Sequence, residues 1–192
     1  MFGGCKKMTT TLHLSLAEYD SMVRVGAFDR IDRKVELIRG KLIEMNPAGP
    51  IHDDLITYLT NWSARGVDPA LSVITSQTGL DLPETQSRPE PDLMWLRAAR
   101  YRDAHPRGSD VQLAIEVAFS SLAYDLETKR RLYAESNIVE YWIVDPQAQC
   151  ILVHRHPVQG DYRDRSVSGR TDTLSPLIQP SAELDLNDMF LG

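Results

Sequence analysis

Cysteine is scarce: Cys5 and Cys150 are the only two thiols in the 192-residue chain. One sits in an N-terminal lead and the other in a strand-like run, which cannot build a disulfide framework. Metal sites made of cysteine clusters are excluded for the same reason. Long apolar runs are missing as well. None approaches the ~20 residues needed to span a bilayer, so no membrane partner is expected. Positive charge is also short, with 21 Lys and Arg against 27 Asp and Glu and a net charge of −6. That balance argues against strong non-specific nucleic-acid binding, which depends on neutralising phosphates with Lys and Arg. It leaves room for an enzyme acting on nucleic acid, because carboxylates that hold a metal are themselves acidic and a local basic strip can lie beside them. Residues 1–8 contain two lysines with no apolar stretch after them, so a secretory signal is not expected. They read as a disordered lead, with Met8 as an alternative start. A cytoplasmic location follows from these absences.

What is present is the make-up of a folded domain. The hydrophobic share is 42% and the charged share 25%, ordinary for a globular protein. The length suits one domain spanning 1–192 with its core at about 34–156. Ser15 and Glu18 form a capping box that starts a helix running to about Val25, where Gly26 ends it. Residues 34–45 read as a hairpin turning at Arg39-Gly40. Ile51, Leu55, Tyr58, Leu59 and Trp62 recur at helical spacing, predicting a helix over 51–64 closed by Gly66. Strands are predicted at 71–82 with a bend at Gly79, and at 92–96, 111–119, 140–145, 150–156, 162–167 and 173–178. A helix is predicted at 122–135, a short helix or loop at 97–110, and a terminal helix or turn at 186–191. The fold class is α/β (α+β), with strands and helices mixed in one unit.

The apolar run 111–119 carries the most informative residue. Gln112, Ala114, Glu116 and Ala118 share one face, and Val111, Leu113, Ile115 and Val117 the other. An acid in so apolar a strand is costly unless it is paired or put to use. Two alanines beside Glu116 leave room for an ion or ligand. The alternative is a salt bridge to a core arginine. Asp92 opens the preceding strand, where it either closes a turn or joins Glu116 across neighbouring strands. Two carboxylates on one site suit a hard cation such as Mg²⁺, or Mn²⁺ in its place. Lys129 falls on the inward stripe of its helix with Leu122, Leu126 and Tyr133. There it would stabilise negative charge on phosphorus or position a water; otherwise it is one half of an exposed Asp125–Lys129 pair. Arg130 and Arg131 are expected to face solvent, pair with Glu127 and offer basic surface together with Arg97, Arg100 and Arg102. Arg130 is the substrate-binding candidate among them. Glu36, opposite Ile43 in the hairpin, reads either as a third metal ligand or as a lysine partner. His52, at the start of its helix, either binds substrate or bonds a backbone group. His13, His105, His154 and His156 show no ligand spacing. Tyr141 and Trp142 read as core.

Taken in order, Pro91-Asp92, Glu116-Val117, Asp125, Lys129, Tyr133 and Glu140-Tyr141-Trp142-Ile143-Val144-Asp145-Pro146 resemble the large bacterial family of putative restriction endonucleases in the PD-(D/E)XK nuclease superfamily. The hairpin Glu36-Leu37-Ile38-Arg39-Gly40-Lys41-Leu42, the turn Met45-Asn46-Pro47 and His52 fit the same pattern. The resemblance covers about 36–146. It implies a restriction-endonuclease-like fold, a central mixed β-sheet flanked by helices, here with an extra N-terminal hairpin and C-terminal strands. It also implies Mg²⁺-dependent hydrolysis of phosphodiester bonds, with Asp92 and Glu116 on the metal. The superfamily's lysine two residues after the acid is Ala118 here, and Lys129 on the next helix stands in for it.

Three functions compete on these residues. A metal-dependent DNA endonuclease requires Asp92, Glu116 and Lys129 to converge at a cleft, and cutting both strands of a duplex would suit a homodimer. A non-catalytic nucleic-acid or protein interaction module would leave Lys129 facing solvent. A small-molecule phosphohydrolase would show a closed pocket.

Overall fold

The structure is a computed structural model and describes residues 11–191. The lead at 1–8 and Cys5 lie outside the described residues. Helix α1 (Leu16–Arg24) starts from the Ser15–Glu18 capping box and stops before Gly26, whose φ is +71°. Strands β1 (Val35–Ile38) and β2 (Lys41–Glu44) pair antiparallel through Arg39 and Gly40, which take φ of +50° and +73°. Positive φ at both central residues is what a two-residue hairpin turn requires. A side chain at Gly40 would also press against the Leu14 carbonyl. Helix α2 (Pro50–Gly66) begins one residue earlier than predicted, since Pro50 sits in its first turn.

Six strands form the central sheet in the order β3 (Ser72–Thr75), β4 (Leu93–Arg97), β5 (Val111–Val117), β6 (Glu140–Asp145), β7 (Cys150–Val158) and β8 (Asp161–Gly169). Neighbours run antiparallel except β5 and β6, which are parallel. A parallel pair needs a crossover, and the helical segment between them supplies it. That segment is α3 (Leu122–Tyr124), a π-helical turn at Asp125–Lys129, and α4 (Arg130–Glu135). Strands β9 (Thr173–Leu174) and β10 (Leu184–Asp185) pair with each other, and α5 (Leu186–Leu191) follows.

Every residue of β5 is buried, because helices cover both faces. On one face Leu113, Ile115 and Val117 pack with Leu55, Leu59 and Trp62 of α2 and with Trp95 and Trp142. On the other, Ala114 and Ala118 pack with Leu132 and Tyr133 of α4 and with Tyr141 and Ile143. Helix α4 lies against β7 and β8, and from there Tyr133, with Lys129 of the preceding turn, reaches Glu116.

Two predicted strands are much shorter than expected. The run 71–82 is a strand only at Ser72–Thr75. Beyond it Gln77 has φ of +47° and the chain turns through a 3₁₀ segment at Pro83–Thr85. Leu80 and Leu82 supply the apolar alternation there as core residues of a loop. The run 173–178 is a strand only at Thr173–Leu174, and Pro176 withholds the N–H that a ladder would need. Residues 98–110 form a loop with a 3₁₀ turn at Gly108–Asp110, since Arg97 still belongs to β4.

Glu140 holds this C-terminal segment to the sheet. Its side chain is completely buried and accepts from the Trp142 indole at 2.8 Å, Arg155 Nε at 2.7 Å and the Leu177 amide at 2.7 Å. Glu140→Ala would strand these donors, a guanidinium among them, and should cost about 3–5 kcal/mol. Urea unfolding checks this, and a loss below ~1 kcal/mol would show that the cluster holds little.

Candidate active site

Asp92 lies one residue before β4, and Leu93 pairs with Ile115 of β5. Continuing that register by one step sets Asp92 against Glu116. The two acids share the face that carries Met94, Ala114 and Ala118. Asp92 Oδ2 accepts the Val117 amide at 2.8 Å and meets His52 Nε2 at 3.3 Å. Burial works against its ionisation, but these hydrogen bonds outweigh it and hold the carboxyl below the usual carboxylate range.

Glu116 is 3% exposed. Its Oε1 accepts Lys129 Nζ at 2.9 Å and the Tyr133 hydroxyl at 2.7 Å. Burial pushes its pKa up to about 8, with Lys129 opposing and Asp92, Asp125 and Glu36 adding to the rise. Lys129, 2% exposed, is itself buried at a cost, yet Glu116, Glu36 and Asp125 together raise its pKa and keep it an ammonium. Glu36 Oε2 is 3.9 Å from that ammonium, is buried and has no hydrogen bond among the described residues. Asp125 is buried and accepts from Ser121 at 2.5 Å. One cation therefore serves a cluster of buried carboxyls.

These groups line a cleft of about 530 Å³. The β1–β2 hairpin and the following loop form one side, the start of α2 with His52 another, and Phe119, Ser120, Ser121 and Tyr124 a third. The Tyr124 hydroxyl is buried without a hydrogen-bond partner among the described residues. Asp92, Glu116, Lys129, Glu36 and His52 are thus brought together. Glu36 sits with Lys129, the lysine-partner arrangement of its two readings. His52 bonds the Asp92 carboxylate, not a backbone group, and the ring's pKa is raised chiefly by that bond.

Arg130 is elsewhere. It bonds the Leu126 carbonyl at 2.7 Å and pairs with Asp161, so it neither faces solvent nor reaches Glu127 or the cleft. Arg97, at the end of β4, lies a strand length from Asp92 at its start, and Arg100 and Arg102 follow in the loop beyond. The basic surface expected beside the cleft is not formed by these residues.

Among the described residues no three His, Cys, Asp or Glu side chains converge as a ready-made metal cage. The donor set nevertheless fits a hard cation that keeps several waters. Asp92 and Glu116 each spend one oxygen on protein donors, and Oδ1 of the one and Oε2 of the other have no hydrogen bond among the described residues.

The sequence profile of the Uma2 family, described as putative restriction endonucleases, matches residues 16–187. The chain belongs to the Uma2 family. A solved structure from Anabaena variabilis, described as a putative nuclease belonging to DUF820, shares the fold with a TM-score of 0.72. It is 16% identical and covers 93% of this Uma2 chain and 98% of its own. No curated protein matches.

Two residues of this Uma2 site escaped the sequence reading as site residues. Tyr133 enters there as an apolar stripe residue and a motif position with no role of its own, although its place one turn after Lys129 was the available signal. Asp125 counted only as a motif position or an exposed partner. Its burial depends on the π-helical turn, which has no signature in the residues themselves.

Proposed function

We propose that the chain is a metal-dependent endonuclease that hydrolyses phosphodiester bonds in DNA, acting in the cytoplasm. The observation that carries this reading is the pair of carboxylates on adjoining strands, each with one uncommitted oxygen, beside a buried ammonium in one cleft. Asp92 and Glu116 would hold Mg²⁺ or Mn²⁺. Bound there, such a cation supplies an activated water and shields the phosphate charge. The chain's own residues do the rest. His52 and the Val117 amide keep Asp92 ionised and oriented. Tyr133 and Lys129 fix Glu116 Oε1, which leaves Oε2 for the cation. Lys129 contributes fixed positive charge where negative charge develops on phosphorus, in a site with little water to screen it. This is the role left open by Ala118. The family and the Anabaena neighbour, both described in nuclease terms, support the same reading.

An interaction module would leave Lys129 in solvent, whereas it is buried against Glu116. The modest volume of the cleft favours a small-molecule phosphohydrolase as the second reading. Cleavage of single-stranded and of supercoiled DNA in Mg²⁺ or Mn²⁺ tests the proposal. Asp92→Asn and Glu116→Gln should each lower the rate by at least ~100-fold. Activity surviving in both variants would remove the assignment.

A further inference from the structure

The acids and the lysine of the site are recessed in the cleft: Asp92, the most accessible of them, is 8% exposed and Glu36 only 1%. A volume of about 530 Å³ falls within the ~300–1,000 Å³ typical of sites that enclose one small molecule. A duplex carries a negative charge every ~1.7 Å of its axis and is held mainly by Lys and Arg. Among the described residues three Lys and Arg side chains line this cleft, each beside a carboxylate. Arg33 pairs with Glu44 at 2.7 Å, Lys34 with Glu90 at 3.1 Å and Lys129 with Glu116, while Asp32 adds further negative charge. The mouth instead presents an aromatic face. Phe119, two residues past the end of β5, is 44% exposed and lines the cleft. Aromatic side chains at such positions are platforms on which unpaired bases stack whatever their sequence. The partnerless Tyr124 hydroxyl in the wall offers a donor that a sugar or phosphate oxygen would satisfy.

We propose that the cleft takes one unpaired strand of nucleic acid, with a base stacked on Phe119 beside the scissile phosphate, and excludes intact duplex. The proposal rests on reading the cleft as a phosphodiesterase site. A single strand is thin and flexible enough to lower a phosphate to the recessed acids, and it needs few basic contacts. It also removes the reason for a two-fold dimer, since only one strand is cut.

The test is fluorescence anisotropy of a short labelled DNA strand, and of the duplex made from it, with the full chain and Ca²⁺ in place of Mg²⁺. The single strand should bind at least ~10-fold more tightly than the duplex. Phe119→Ala should weaken strand binding by roughly 5- to 100-fold, and Phe119→Trp should restore it. Equal or tighter duplex binding, no binding of either, or an unchanged affinity in Phe119→Ala would overturn the proposal. Hydrolysis of bis(p-nitrophenyl) phosphate by wild type and Glu116→Gln keeps the two readings apart. That diester has neither base nor polyanion, so its metal-dependent cleavage tests the phosphodiesterase site alone.

Discussion

Above pH 8, where Glu116 is ionised, Lys129→Met should destabilise the metal-free protein by about 3–5 kcal/mol, the range for removing one partner of a buried ion pair. Among the described residues the ammonium is the only cation bonded to Glu116, and Glu36 Oε2 has no other polar neighbour that satisfies it. Methionine fills similar space but leaves Glu116, Glu36 and Asp125 facing one another without a counter-charge. The loss should appear as a lower urea midpoint with an unchanged slope. Adding Glu116→Gln to the variant removes the charge left stranded and should recover at least ~1 kcal/mol, a coupling that a double-mutant cycle isolates. A cost below ~1 kcal/mol, as for an exposed helical pair, would mean that the lysine does not balance the cluster. Measured this way, the stability of any Lys129 variant also has to be known before its activity can be interpreted.

Much of this arrangement was legible in the sequence because strand periodicity is rigid. Alternation along 111–117 put Glu116 on the face with the alanines, and the adjoining strand delivered Asp92 to it. The Arg39-Gly40 turn fixed the hairpin register and set Glu36 across from Ile43. Helical periodicity was less reliable. A regular helix over 122–135 would turn Leu122, Leu126, Lys129 and Tyr133 inward together. The π-helical turn rotates what precedes it by about 100° relative to a regular helix. Leu122 and Leu126 are consequently only half-buried, and Asp125 takes the inward position. π-Helical turns are often found at functional sites, and this one adds a carboxyl to the cluster around Lys129. Arg130 was misplaced for a different reason: its partner Asp161 opens β8, too far along the chain for any local pattern to connect them.

The crowding of those carboxyls makes stability depend on pH in a direction that can be stated. Glu116 is pushed from an ordinary value of 4.5 up to about 8. Between these values the folded protein keeps a proton that the unfolded chain has released, so stability falls as pH rises across the window and is lowest above 8. The size should be at most about 5 kcal/mol for the full shift, which already includes the opposition of Lys129. Burial raises Glu36 and Asp125 in the same direction, and His52 acts in that direction too, because its raised pKa gives stability that is lost as pH climbs past it. His154, lowered to about 4 by burial, acts the other way between 4 and 6.5. Asp92, held low, acts only below the window. Subtracting the Glu116→Gln curve from the wild-type curve removes the shared contributions and leaves the share owed to Glu116. A saturating divalent cation should flatten the wild-type curve near pH 8 and leave Glu116→Gln unchanged, because a ligating carboxylate must first give up its proton. Calorimetry of cation binding at pH 7 in buffers of different ionisation enthalpy should then register proton release in wild type alone. Parallel stability curves for the two proteins would show that Glu116 ionises normally, and the crowded-carboxyl account of the site would fail.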